Sequence, residues 1–165
     1  MQVKRRLSFA QGYLELGMLA EASAELDLIP PAHHEDLAVL AVRLAVLQEQ
    51  KNWPALSAVA RYVVARTPTE AAAWITWAYA TRRAESLAAA EKILLEAERL
   101  HPTEATIQFN LGCYACQRGD LSAARQRVDR ALALEPKMAA LAASDPDLAP
   151  LRGAGATDCQ SATGF

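Results

Sequence analysis

Apolar positions along this chain recur at three- and four-residue spacings in short runs, and the runs come in pairs. Between Ala71 and Pro102, Trp74, Trp77 and Ala78 fall on one stripe and Leu87, Ala90, Leu94 and Ala97 on another. Residues at i, i+3, i+4 and i+7 share one face of an α-helix, so each stripe predicts an amphipathic helix and the pair predicts helix, turn, helix. The next stretch, from Ala105 to Pro136, repeats the arrangement with Leu111, Gly112 and Ala115 in a first helix and Leu121, Ala124, Val128 and Ala131 in a second. Gly119-Asp120 supplies a turn and an N-cap candidate between them. Small residues recur at Ala78 and Gly112, and again at Ala90 and Ala124, where two packed helices must approach closely.

The pairs keep a fixed period. Pro68, Pro102 and Pro136 stand 34 residues apart, each after an apolar-periodic run, and proline cannot continue a helix. A fixed period of this size means stacked supersecondary units, each unable to bury its apolar face without its neighbours. One period earlier, Leu37 to Pro68 forms a degenerate copy in which Trp53-Pro54 starts the second helix, the stripe Leu56, Ala60, Val63 marks it, and Leu44 replaces the small residue. The N-terminal segment fits a shortened fourth copy through Tyr13, Leu14, Gly17, Leu19, Ala22 and Leu26, stopping at Pro30-Pro31.

With Trp74, Leu111-Gly112, Ala90, Ala124 and the closing prolines in place, the pattern resembles the tetratricopeptide repeat. The sequence departs from it at Gln108, where the family prefers tryptophan, at Thr81 and Ala115, where it prefers tyrosine, and at Leu94 and Val128, which replace an aromatic residue. The phrases Tyr-Leu-Glu-Leu-Gly-Met and Phe-Asn-Leu-Gly-Cys-Tyr-Ala-Cys-Gln are also similar to a bacterial branch of such proteins with no assigned function. The resemblance implies an all-α, right-handed α-solenoid of about four helix-turn-helix repeats, covering residues 3–31, 37–68, 71–102 and 105–136. A short capping helix at 137–151 is expected to cover the last apolar face, and the aperiodic tail 152–165 is expected to be disordered.

Composition narrows the function. Seventeen basic and nineteen acidic side chains give a formal net charge of −2, which offers no attraction to a phosphate backbone and argues against nucleic acid as partner. The apolar stretch Leu37 to Leu47 carries Arg43 and falls short of the roughly 20 residues a bilayer crossing needs. The segment after Lys4-Arg5-Arg6 is broken by Gln11, Glu15 and Glu21, so it lacks the apolar core of a signal peptide. Three cysteines are an odd number and too few to staple a secreted fold, and a cytoplasmic protein without membrane contact is expected.

Two local motifs invite chemistry. Cys113-Tyr-Ala-Cys116 has the spacing of a zinc or redox pair, but no second cysteine pair accompanies it and it falls late in a helix. Small packing or groove-lining residues are the expected role. His33-His34-Glu35-Asp36 offers four ligand types in a row, yet adjacent helical residues diverge; a helix start with Glu35 and Asp36 in its first turn is expected instead. No phosphate loop, HExxH or nucleophile elbow occurs, so neither catalysis nor a cofactor is expected.

In the tetratricopeptide family the first helix of each repeat lines the concave surface. The resemblance therefore implies a groove carrying Ala38, Ala41 and Ala45, then Ile75, Tyr79, Arg82 and Arg83, then Phe109, Asn110, Cys113 and Gln117. Aromatic residues beside arginine are typical binding anchors, and an acidic peptide or protein partner is expected. The competing reading makes Tyr79 and Phe109 core residues and leaves the arginines solvated. Asn110 could serve in a carboxylate clamp of the kind some members use, but the matching lysines are absent. A scaffold for protein binding is the first functional expectation, and a chaperone for a secreted or assembly client the alternative.

Overall fold

The computed structural model describes residues 2–154, and these form α-helices joined by short turns with no strand among them. The helices are α1 (Gln2–Glu15), α2 (Leu19–Asp27), α3 (Leu37–Glu49), α4 (Trp53–Arg66), α5 (Ala71–Ala84), α6 (Leu87–Leu100), α7 (Ala105–Gln117) and α8 (Leu121–Leu134). Two short helices follow, α9 (Ala139–Ser144) and α10 (Ala149–Ala154). The starts of α3, α5 and α7 are separated by 34 residues, as are those of α2, α4, α6 and α8. Each of Pro68, Pro102 and Pro136 stands two residues beyond a helix end.

The turns inside the hairpins keep the same phase. After α1, the Gly17 N–H donates to the Leu14 carbonyl at 3.0 Å and the Met18 N–H to that of Tyr13 at 2.9 Å, with Gly17 at φ +72°. This pair of bonds closes a helix with one left-handed residue and satisfies two of its last carbonyls. After α7 the pair recurs at Gly119 (φ +83°) and Asp120, and after α3 at Lys51 (φ 54°) and Asn52. Asn52 and Asp120 then cap the next helices, their side chains accepting from the Ala55 and Ala123 N–H groups at 3.4 and 3.0 Å. The equivalent position after α5, Glu85, has φ −128° and makes a single bond to Thr81 instead.

The described residues divide into two compact halves, 2–86 and 87–154. In the N-terminal half, Ala10, Ala22, Leu26, Ile29, Val39, Val42 and Val46 form a buried cluster, with Val3, Leu7, Tyr13 and Leu14 packed against it. Arg6 of α1 bonds Glu25 of α2 at 2.7 Å. In α4 the buried stripe is Leu56, Ser57, Ala60 and Val64, so Val64 replaces the expected Val63. Thr81, standing where the family prefers tyrosine, is buried and shares a 2.9 Å hydrogen bond with buried Ser57. The lost aromatic volume is thus replaced by a satisfied polar pair. Trp74 is buried, and its indole N–H donates to the Pro68 carbonyl at 2.9 Å, tying α5 to the turn that precedes it.

The C-terminal half packs α7 closely on α8. A Cβ added at Gly112 would meet Val128 Cγ2 at 2.9 Å, the Ala124 carbonyl oxygen at 3.3 Å and Arg127 Cβ at 3.3 Å. Beyond α8, Leu148 is buried, Gln117 donates to the Asp147 carbonyl at 3.1 Å, and Arg125 to that of Leu151 at 3.4 Å. These contacts hold the segment after Pro136 against α7 and α8. Residues 152–154, which the sequence places in the tail, are helical: Arg152 lies in α10 and donates to the carbonyls of Ala142 and Asp145. The rest of that expectation, residues 155–165 with Cys159, falls outside the described residues.

Candidate functional site

The eight residues expected in one groove lie in different halves, Ile75, Tyr79, Arg82 and Arg83 on α5 and Phe109, Asn110, Cys113 and Gln117 on α7. On α5, Ile75 and Arg82 are half-buried, Arg83 is exposed and Tyr79 is 37% exposed. The helical rise puts Arg83 one turn beyond Tyr79 on the same face. Its guanidinium carbon lies 3.5 Å from the centre of the Tyr79 ring and 5.2 Å from that of Trp53, and one N–H donates to the Tyr79 carbonyl at 3.2 Å. The Trp53 and Tyr79 rings meet edge-on, with centroids 5.7 Å apart and planes at 76°. In the sequence Trp53 marks only the start of a helix. Because Trp53 is the first residue of α4 and Tyr79 stands mid-way along α5, helix packing and not sequence spacing joins them.

The same half also carries an apolar face with little cover. Helix α3 is apolar almost all round, yet it buries only Val39, Leu40, Val42 and Val46. Leu37 is 49% exposed, and Ala38, Ala41 and Ala45 are exposed with it. A helix apolar on every side is ordinarily buried on every side. These alanines are the groove positions expected from the sequence.

On α7 the picture differs. Phe109 and Cys113, expected to line the groove, are 3% and 4% exposed and lie in the core of this half. Nearly every side chain from Ala105 to Cys116 is buried, because the close packing at Gly112 and the C-terminal segment leave α7 little free surface. Asn110 is half-buried, and Gln117 is exposed but occupied with the Asp147 carbonyl. Cys116 is buried beside Cys113, and among the described residues no three His, Cys, Asp or Glu side chains come together as metal ligands. The His33-His34-Glu35-Asp36 run diverges: His33 Nδ1 lies 2.8 Å from Asp36, His34 Nε2 donates to the Ile29 carbonyl at 2.6 Å, and Glu35 pairs with Arg66 at 3.2 Å. Glu35 and Asp36 precede α3 and do not form its first turn.

One polar constellation had no signal of its own. Gln108, where the family prefers tryptophan, is fully buried; its amide donates to Glu98 of α6 at 2.8 Å and accepts from Arg127 of α8 at 2.7 Å. Arg127 also bonds Glu98 directly, and Arg130 stands 3.9 Å from the same carboxylate. Burial works to raise the Glu98 carboxyl, but the hydrogen bonds from Arg127 and Gln108, with the charges of Arg127 and Arg130, outweigh it and hold the group below its ordinary value. The network joins three helices and is structural in character.

Helical hairpins in a 34-residue phase, three of them turned by a left-handed residue and the last three trailed by proline, make an all-α fold of the tetratricopeptide type. Solved structures share this fold. A MamA fragment from Desulfovibrio magneticus RS-1, residue 41 to the end, matches with a TM-score of 0.72 and 20% identity over 83% of this chain and 77% of that one. A thermophilic TPR protein of Thermus thermophilus matches at 0.67 and 19% over 93% and 82%. No family model and no curated protein matches the sequence.

Proposed function

We propose that the protein is a non-catalytic interaction module that binds a protein or peptide partner along its first-helix faces, with preference for acidic segments. The observation that carries this reading is the exposed apolar face of α3, where Leu37, Ala38, Ala41 and Ala45 meet solvent in the same half as the Trp53, Tyr79 and Arg83 cluster. Covering such a face with an apolar partner surface stabilises by roughly 25 cal/mol per Å² removed from water, and alanines let a partner backbone approach closely. The α5 residues then add charge and aromatic surface, whereas α7 contributes less than the sequence implied.

The test is a capture experiment from the native host with the wild-type chain, an Ala41→Glu variant and a Tyr79→Ala, Arg83→Glu double variant, each first shown by circular dichroism to be folded. A partner held by wild type and lost from both variants supports the reading. Retention by both would move binding to the outer helices or to residues beyond 154. A captured partner dominated by one exported client with an exposed apolar segment would favour a chaperone role.

A further inference from the structure

We infer that Arg83, held between Tyr79 and Trp53, reads a carboxylate side chain on the bound segment, and that Trp53 is a specificity-determining residue of the site. The inference rests on the interaction-module reading and narrows it to an extended peptide in which an acidic residue is flanked by apolar ones. Its starting point is the guanidinium's surroundings. Among the described residues Arg83 has no carboxylate within ion-pair range; its partners are one backbone carbonyl and two aromatic rings. Other arginines of the same half do have acids, Arg6 with Glu25, Arg43 with Asp27 and Arg66 with Glu35.

A guanidinium carries five N–H donors and no acceptor. One is spent on the Tyr79 carbonyl, and the side chain is exposed, which leaves donors to present to a ligand. Stacking on a ring face fixes the plane without consuming those donors, because the attraction runs through the π-cloud and not through the N–H edge. A fork whose plane is already fixed loses less rotamer freedom when it closes on a carboxylate in two parallel bonds. Trp53 meets Tyr79 edge-on and lies against the same guanidinium, so it limits where the stacked pair can move. The apolar part of the ligand is assigned by α3, whose exposed Leu37, Ala38, Ala41 and Ala45 offer no charge and no hydrogen-bonding side chain. Charge and apolar surface together select a segment that carries both an acidic residue and apolar ones over a purely acidic or purely apolar segment.

The probes are three blocked peptides of alternating leucine with glutamate, glutamine or lysine, titrated into the full chain and followed by the indole N–H resonance of Trp53 and the Nε–H resonance of Arg83. Saturable shifts with the glutamate peptide, about tenfold weaker with the glutamine peptide and absent with lysine, are expected. Arg83→Lys keeps the charge but not the fork, and should lose most of the glutamate-over-glutamine preference. Trp53→Phe should weaken that preference partly, and Trp53→Ala fully, with Tyr79 still in place. The absence of saturation by the glutamate peptide, or an acid preference undiminished in folded Arg83→Lys and Trp53→Ala proteins, overturns the inference. A host partner still captured through Tyr79 in that event would leave the interaction module standing, whereas loss of both results would remove both.

Discussion

At the scale of single residues, two backbone positions carry the clearest consequences. Lys51 occupies a left-handed conformation that glycine fills at the equivalent Gly17 and Gly119. A side chain there costs on the order of 1 kcal/mol relative to glycine. Lys51→Gly is therefore expected to raise stability by about that amount, read as a higher urea midpoint with an unchanged slope; a lower midpoint would refute the assignment of the turn. Gly112 is the opposite case, since even a methyl group would press within 2.9 Å of Val128 and 3.3 Å of the Ala124 carbonyl. Gly112→Leu should cost about 1–3 kcal/mol or more by overpacking, visible as a thermal midpoint several degrees lower, while a charge change at exposed Lys92 should leave it nearly unmoved. Gly112 was legible as a close-approach residue because it repeats the place of Ala78. Lys51 was not, since nothing in a lysine announces a left-handed turn and only the phase set by Gly17 and Gly119 points to it.

At the scale of the helix, the polar network linking α6, α7 and α8 replaces what an aromatic side chain would do by bulk. Changing Gln108 to leucine removes a partner from both Glu98 and Arg127, and leaving such groups less well satisfied should cost about 1–3 kcal/mol. The network also has an acid limb. The Glu98 carboxyl is held below its ordinary value in the folded chain, so its contribution is present above the unfolded carboxyl's value and is lost as pH falls through the lower folded one. Chemical denaturation repeated from neutral pH down to strongly acidic pH should show this loss, and Glu98→Gln should flatten it; an identical acid slope in that variant would deny Glu98 the role. The helices themselves were legible in the sequence because periodicity and proline act locally. The candidate site was legible only in part. Tyr79 and Arg83 sit one helical turn apart and could be paired by counting, but Trp53 reaches them only through the packing of α4 on α5. The burial of Phe109 and Cys113 likewise depends on the surroundings of α7, which no stripe on α7 itself reveals.

At the scale of the whole molecule, the absence of strand among the described residues predicts a far-UV circular dichroism spectrum dominated by helix. The two thiols of α7 give a probe of how the fold opens. Cys113 and Cys116 are nearly inaccessible, so in a Cys159→Ser background a thiol reagent should modify them only as fast as the surrounding structure opens; immediate labelling in native buffer would contradict their burial. The phase of the helices carries a last consequence, for the chain's length as a quantity under constraint. Helix α9 begins at Ala139, 34 residues after the start of α7, as α7 itself begins 34 after α5. The C-terminal segment thus starts on the beat of one more copy and then abandons it, since Asp145-Pro146 breaks the helix that a complete copy would continue. Growth or shrinkage of this architecture is accordingly easiest in whole 34-residue blocks at a hairpin boundary, which add or remove a complete helical pair, whereas inserting or deleting one or two residues within a helix turns the rest of that helix's apolar stripe away from its partners.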